Sequence, residues 1–517
     1  MALSTEVLAA LVVAVVLGAV VAKWATPEAD PREPPVLRPA VPFIGHLIGM
    51  VWQGPPYLAK LSKICKSPIF TLPILSGRTY VVTSPALAAL VQRNSSTLDF
   101  NQLIVATAPR MMGISDEATK IIADAKAKEE GRLRMVESVM HTMVQPLLGA
   151  NKIEALVQSQ LDHFSDWFSR VEDGQEFDLH RAVTREVSLA SMRTFYGPKN
   201  PFAIRPELVE EFWDWEAGVI KLMLRFFPKI IARKAYYGLE KMTAGFVEYI
   251  NNGGFDGAYE MLYKRWKAHQ EVGISIEDQA RLEIGMCLGI NVNASGSSFW
   301  VLNHIFSRPE LLAELREEIQ QNAVESPGVI SYTRLRDSCP LLNSVYRETL
   351  RLAAPLTSAR YVTKDTIIAD TYLLRADNVV QIVGGVIHSD QQIWGPDVDE
   401  FNPRRFLYSA SGHKTGADGV TSDDKSQQIH SAAFRAYGGG VTLCPGRHFA
   451  QLEVLGYVAV MALAFDLLPP KGQEKVQWDP PKQDKQVLIA VVKPTRPVNV
   501  RVQRRESVEH VKWAFKP

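Results

Sequence analysis

The chain has 517 residues, and its 57 lysines and arginines almost cancel its 56 aspartates and glutamates. With no basic stripe interleaved with aromatics, nucleic acid is excluded as a partner class. Cys65, Cys287, Cys339 and Cys444 are too scattered for a zinc site or a disulfide framework and suit a reducing compartment.

Val7 to Ala22 is uninterrupted apolar sequence, close to the roughly 20 residues of a membrane-spanning helix. Glu6 precedes it, and Lys23, Arg32 and Arg38 follow. That charge order is the reverse of a cleaved signal peptide and predicts a cytosolic C-terminal side. Pro27, Pro31, Pro34, Pro35, Pro39 and Pro42 then read as a stiff linker. The predicted organisation is a membrane anchor over 1–24, a proline-rich hinge over 25–45 and one large domain over 46–517.

Two strands are predicted within Phe70–Thr83, around Ser76-Gly77. Residues 115–270 read as mostly amphipathic helix, with loops at Tyr196–Pro198 and Asn251–Gly254. Ile276 to Gln320 predicts a long helix broken near Ser307-Arg308-Pro309, because a proline ends the helix before it. Strand patterns recur at Thr366–Leu374, Val379–Val383 and Val487–Val492. Residues 409–431 form a polar insertion rich in Ser, Gly, Asp and Lys. The expected fold class is mainly α with a small β region.

Near the C-terminus, Tyr437-Gly-Gly-Gly440-Val-Thr442-Leu-Cys444-Pro-Gly446-Arg447 leads into a helical pattern. The glycines leave the backbone bare, so that a flat, bulky group can lie against it. Pro445 suits an early helix position, and a cysteine at a helix mouth feels the positive end of the dipole, which favours thiolate. Upstream, Glu348 and Arg351 are three apart on one predicted helix face and can pair. Phe401-Asn-Pro403-Arg-Arg405-Phe406 follows.

These three segments, in this order, resemble the cytochrome P450 family over about residues 36 to 500. Tyr437, Gly438, Gly440, Cys444 and Gly446 fall on its haem-binding signature, aromatic-Gly-x-Gly-x-x-x-Cys-x-Gly. The resemblance implies haem held through iron by the Cys444 thiolate, and a structural triad of Glu348, Arg351 and Arg405. It also implies one catalytic domain, since the motifs must converge on one haem. Arg360 falls where members place an arginine on a haem propionate. The usual tryptophan and arginine, four apart, that hold a propionate are missing, which leaves Arg132 or Arg134 as substitutes. Substrate contacts are expected from Thr357, Ser358, Ala359, Val487 and Leu488, with Asp99 to Ile114 as a further wall.

The long helix departs from the family pattern. Gly289-Ile-Asn-Val-Asn293-Ala294-Ser-Gly-Ser-Ser298-Phe-Trp300 has neither the acid nor the threonine that members use to relay protons. Asn293 stands at the threonine position and, with Ala294, is the expected catalytic pair. Asparagine there resembles the sterol 7α-hydroxylases, sterol 12α-hydroxylases and prostacyclin synthase. Thr442 to Arg447 also resembles the 7α-hydroxylase loop. That branch contains both oxygen-inserting enzymes and an isomerase. The first reading is therefore a monooxygenase that uses O2 and NADPH to oxidise a lipophilic sterol, terpenoid or polyketide. The alternatives are an oxygen-independent isomerase or dehydratase of a peroxide and, less well matched, a haem sensor. With no Gly-x-Gly-x-x-Gly motif for a dinucleotide, the resemblance implies electrons from an NADPH-dependent reductase, with cytochrome b5 as a second donor. It further implies a single-pass protein of the endoplasmic reticulum membrane, and the polar insertion points to a fungal biosynthetic member.

Overall fold

The computed structural model describes residues 18, 30–39, 41, 44–74, 77–127, 130–150, 152–407, 429–482 and 490–517. Apart from Gly18, the stretch expected to anchor the chain lies outside these residues, as do most of the polar insertion and both Val487 and Leu488. Among the described residues no helix is long and apolar enough to cross a membrane.

The fold is mainly helical with small sheets. Its axis is the helix Ile276–Phe306, which starts where the Ser275 hydroxyl accepts the Asp278 N–H. It ends before Pro309, which opens the next helix, Pro309–Asn322. The helices Leu179–Tyr196, Arg233–Asn251, Pro340–Ala353 and Arg447–Ala464 pack round it. A helix enclosed in this way carries apolar residues on most sides. The exception is a stripe of half-accessible residues, Leu282, Gly285, Met286, Ile290 and Asn293, with Gly289 more open still. The spacing is that of one helix face. A methyl group built on Gly289 would meet no atom within 4 Å, so this face borders open space.

The largest sheet orders its strands Ile69–Ile74, Gly77–Val82, Asn378–Val383, Thr357–Val362 and Leu98–Asp99. Gly77–Val82 and Asn378–Val383 run parallel, and the other neighbours are antiparallel. Arg360 pairs with Val380 inside this sheet.

Two strand expectations are corrected. Thr366–Leu374 is not one strand but a hairpin of Thr366–Ile368 and Tyr372–Leu374. Ala369 and Asp370, both in left-handed backbone (φ 52° and 53°), turn the chain between them. Ala490 to Val492, the described end of the third predicted strand, lie in no strand.

Candidate active site

Cys444 closes a tight loop: its N–H donates to the Tyr437 carbonyl at 3.0 Å, just before the helix Arg447–Ala464. Gly438 and Gly440 take positive φ (75° and 61°), which residues with a Cβ resist. The Gly446 and Arg447 N–H groups point at the sulfur. Burial nevertheless outweighs them and pushes the thiol above its ordinary pKa. The N–H groups at the helix mouth favour the thiolate, as expected, while burial opposes it; a cationic centre against the sulfur would favour the charged form. Cys444 sits deep in the fold yet keeps accessible surface, whereas Cys287 and Cys339 are buried. Beneath the loop, the hydroxyls of Tyr346 and Tyr437 share a hydrogen bond.

Glu348, Arg351 and Arg405 are brought together. Arg351 donates to both Glu348 oxygens at 2.8 Å, and Arg405 Nε donates to the same carboxylate at 3.0 and 3.1 Å. Glu348 is fully buried and Arg351 is 2% exposed. A fourth charge, absent from the sequence reading, completes the set: Asp397 accepts from Arg405 Nη1 at 2.9 Å. Two cations then face two anions, the balance that a buried cluster requires. Arg351 also donates to the His388 and Val398 carbonyls, both at 2.8 Å.

His388 links this brace to the cysteine loop. Its Nδ1 lies 2.9 Å from the Arg351 carbonyl, and its Nε2 accepts the Arg435 N–H at 2.7 Å. A carbonyl can only accept and an amide N–H can only donate, so His388 is neutral with its proton on Nδ1. Burial, which depresses its pKa to about 3, agrees.

Arg360 reaches the loop from the sheet. It donates to the Thr442 hydroxyl, to Ser358 Oγ at 2.8 Å and to the Ala359 carbonyl at 2.7 Å. Thr357, Ser358 and Ala359 are half-buried, and two of the three are thus engaged in fixing Arg360. Arg360 stacks over Phe100 at 4.8 Å and has no ion pair among the described residues. Of Arg132 and Arg134, the expected substitutes for the missing arginine, Arg132 is exposed, whereas Arg134 is buried and its Nε has no hydrogen-bond partner among the described residues. Arg132 pairs with Asp124 and Glu130 near the surface, and Arg134 with Asp99 and Glu137.

Asn293 lies on the open stripe of the long helix, and Ala294 beside it is buried. The Asn293 Oδ1 accepts the Val491 N–H at 3.0 Å, and no hydrogen bond joins it to the cysteine loop among the described residues. This fixes the amide so that its NH2 is left to donate. Val491 belongs to a strap. Trp300 Nε1 donates to the Val492 carbonyl at 2.7 Å, Val492 N–H donates to Ala353 O at 2.8 Å, and Lys493 pairs with Glu216 on the helix Leu208–Met223. The helix Asn101–Met111 packs on Leu208–Met223 and on Thr357–Val362.

No sequence motif marks Arg435 or Gln92 as a site residue. Arg435 Nη1 donates to Gln92 Oε1 at 3.0 Å. The available signal was that Arg435 is the one charged residue between Ser431 and Gly446.

The cytochrome P450 family model matches residues 259–501. Over 499 residues (94% of this chain, 93% of the relative), the chain is 31% identical to the cytochrome P450 monooxygenase nodJ of Hypoxylon pulicicidum. It is 27% identical to a cytochrome P450 monooxygenase of Gibberella zeae over 504 residues, 95% of this chain and 92% of that one. More distantly, it is 24% identical to a 7-alpha-hydroxycholest-4-en-3-one 12-alpha-hydroxylase of Oryctolagus cuniculus, over 91% of this chain and 93% of the relative. The chain belongs to the cytochrome P450 family. It is an enzyme, a haem-thiolate monooxygenase with fungal relatives, and haem is its cofactor. Members of the family work with a redox partner and a small-molecule substrate.

The described residues fit that cofactor. No group of His, Cys, Asp or Glu among them could hold a bare metal ion, so iron at a lone sulfur has to arrive in its own ligand frame. Cys444 supplies one soft donor beside a bare glycine run, and Arg360 supplies a buried cation with no ion pair among the described residues.

Proposed function

We propose that Cys444 would hold haem through its sulfur and that the enzyme hydroxylates or otherwise oxidises a lipophilic small molecule of the sterol, terpenoid or polyketide class. The observation that carries this is the cysteine loop: a sulfur with accessible surface deep in the fold, at a helix mouth, with two backbone N–H groups on it. Haem with a thiolate ligand supplies the cleavage of O–O bonds. Tyr437, Gly438, Gly440 and Gly446 shape the loop that presents the sulfur, and Glu348, Arg351 and Arg405, closed by Asp397, brace it through His388. Asn293 can donate and accept hydrogen bonds but cannot pass on a proton as a hydroxyl does. With Oδ1 held by Val491, it orients a water or a substrate oxygen through its NH2, beside Ala294. Leu282, Met286 and Ile290 on the open stripe favour an apolar substrate, and one distant relative bears the name of a sterol hydroxylase. Thr357, Ser358 and Ala359 border the substrate, with Val487 and Leu488 as further contacts.

The same reading takes electrons from a membrane-bound NADPH-dependent reductase, with cytochrome b5 as an accessory donor. It places the chain in the endoplasmic reticulum membrane, anchored by residues 1–24, with 25–45 as hinge and 46–517 as cytosolic catalytic domain. Support comes from the apolar run and the basic residues after it.

The test uses membranes containing this protein and a reductase, given candidate lipophilic metabolites under isotopically heavy O2, with and without NADPH. Heavy oxygen in the product only when NADPH is present is the expected result. Conversion without O2, NADPH or label would put an isomerase in its place. In Cys444→Ser, haem or the thiolate signature of the reduced carbon-monoxide spectrum should be lost; a persisting signature would remove Cys444 from the assignment.

A further inference from the structure

Arg435 is 2% exposed, and its Nε and Nη2 have no hydrogen-bond partner among the described residues. Its one side-chain bond goes to the neutral amide of Gln92, whose own Nε2, also buried, has no partner either. Neither Arg435 nor Arg360 forms an ion pair among the described residues, although both are buried. Burial lowers each guanidinium from its ordinary pKa to about 10, and for Arg435 the charge of Arg360 adds to the effect. Asp99, the carboxylate whose charge bears on Arg360, already takes Arg134 at 2.8 Å and the N–H groups of Asn101 and Gln102. Two buried like charges, one of them with free donors, are costly unless an anion lies against them. A carboxylate suits a guanidinium fork best, because two parallel N–H groups match its two oxygens.

The fold holds Arg435 in place for such a role. His388 accepts its backbone N–H, Phe434 beside it stacks on the His388 ring, and Gln92 holds Nη1. The free donors are therefore preset rather than mobile.

We propose that Arg435, together with Arg360 and the Gln92 amide, is the clamp that holds the carboxylates of haem in this chain. The inference rests on the reading of Cys444 as the haem ligand and assigns the other end of the cofactor. It gives the ring a second fixed point, so that orientation about the iron–sulfur axis is set by charge as well as by fit.

The test measures the rate at which holoenzyme loses haem to an excess of haem-scavenging apoglobin, for wild type, Arg435→Gln and Arg435→Lys. Each protein is loaded either with haem or with haem dimethyl ester, which has no carboxylates. With haem, Arg435→Gln should lose the cofactor roughly 10- to 100-fold faster than wild type, the range for hydrogen bonds to charged groups. Arg435→Lys should fall between them. With the diester, all three rates should converge. Equal rates for wild type and Arg435→Gln with ordinary haem would overturn the clamp. So would an undiminished difference with the diester, which would make Arg435 a packing residue. If Arg435→Gln does not fold, the comparison of Arg435→Lys with wild type on the two haems decides alone. A wild-type protein that never shows the thiolate spectrum would instead sink the assignment of Cys444.

Discussion

At the scale of single residues, Asn293 has two separable jobs. Its Oδ1 satisfies the buried Val491 N–H, and its NH2 is left to donate. Asn293→Ala removes both. It should abolish most turnover while haem remains bound, and it should cost about 1–3 kcal/mol of stability, the range for a buried donor left unpaired. Asn293→Asp keeps an acceptor for Val491 and loses the donor. Its melting temperature should stay closer to wild type than that of Asn293→Ala, while its turnover drops. Turnover rates and melting curves of the two variants check this; full activity in Asn293→Asp would leave only the bond to Val491 as the role of the residue.

At the scale of elements, the cysteine loop is pressed onto the helix Pro85–Arg93. A Cβ on Gly440 would lie 2.7 Å from Gln92 Cβ and 3.1 Å from the Gln92 carbonyl, with φ at +61°. Gly440→Ala should therefore cost about 2–4 kcal/mol, combining left-handed strain with overpacking. It should also speed haem loss, because the displaced Gln92 also holds Arg435; thermal unfolding and haem-transfer rates measure the two effects. Much at this scale was legible in the sequence. The helix break at Ser307-Arg308-Pro309 and the two strands around Ser76-Gly77 follow from proline chemistry and turn residues close by. The hairpin within Thr366–Leu374 was not legible, because its turn puts Ala369 in a left-handed conformation normally taken by glycine, asparagine or aspartate. The partners of the site residues were not legible either. Asn293 and Val491 are 198 positions apart, and nothing local marks Asp397 as the counter-charge of Arg405. Motif spacing identifies which residues matter; tertiary packing decides what each one touches.

At the scale of the whole molecule, burial keeps several histidines neutral. It depresses His180 to about 4 and His388 to about 3, and His269 and His304 are also well below the ordinary value. In the unfolded chain these groups bind protons below about pH 6.5, whereas the fold refuses them until far lower. Stability from this source is complete above that pH and falls as pH drops towards 4 and 3. Glu453, raised to about 8 by burial, acts in the opposite sense, because the fold holds its proton while the unfolded chain releases it. Its contribution is complete below the ordinary carboxylate range and fades up to about 8. The two trends are separated by His388→Gln, whose amide can serve both Arg351 and Arg435. Melting temperatures from pH 7 to pH 4 should fall less steeply in that variant than in wild type; parallel curves would show that His388 titrates normally. The sheet register has a consequence in time. Gly77–Val82 is flanked on one side by Ile69–Ile74, but its other edge pairs with Asn378–Val383, with Val379 opposite Thr79. At about 5–20 residues per second of synthesis, that edge waits on the order of 15 to 60 seconds for its partner to leave the ribosome. Throughout that interval the nascent chain carries an open strand edge that other chains can join, so the yield of folded enzyme depends on what shields the hairpin until its parallel neighbour arrives.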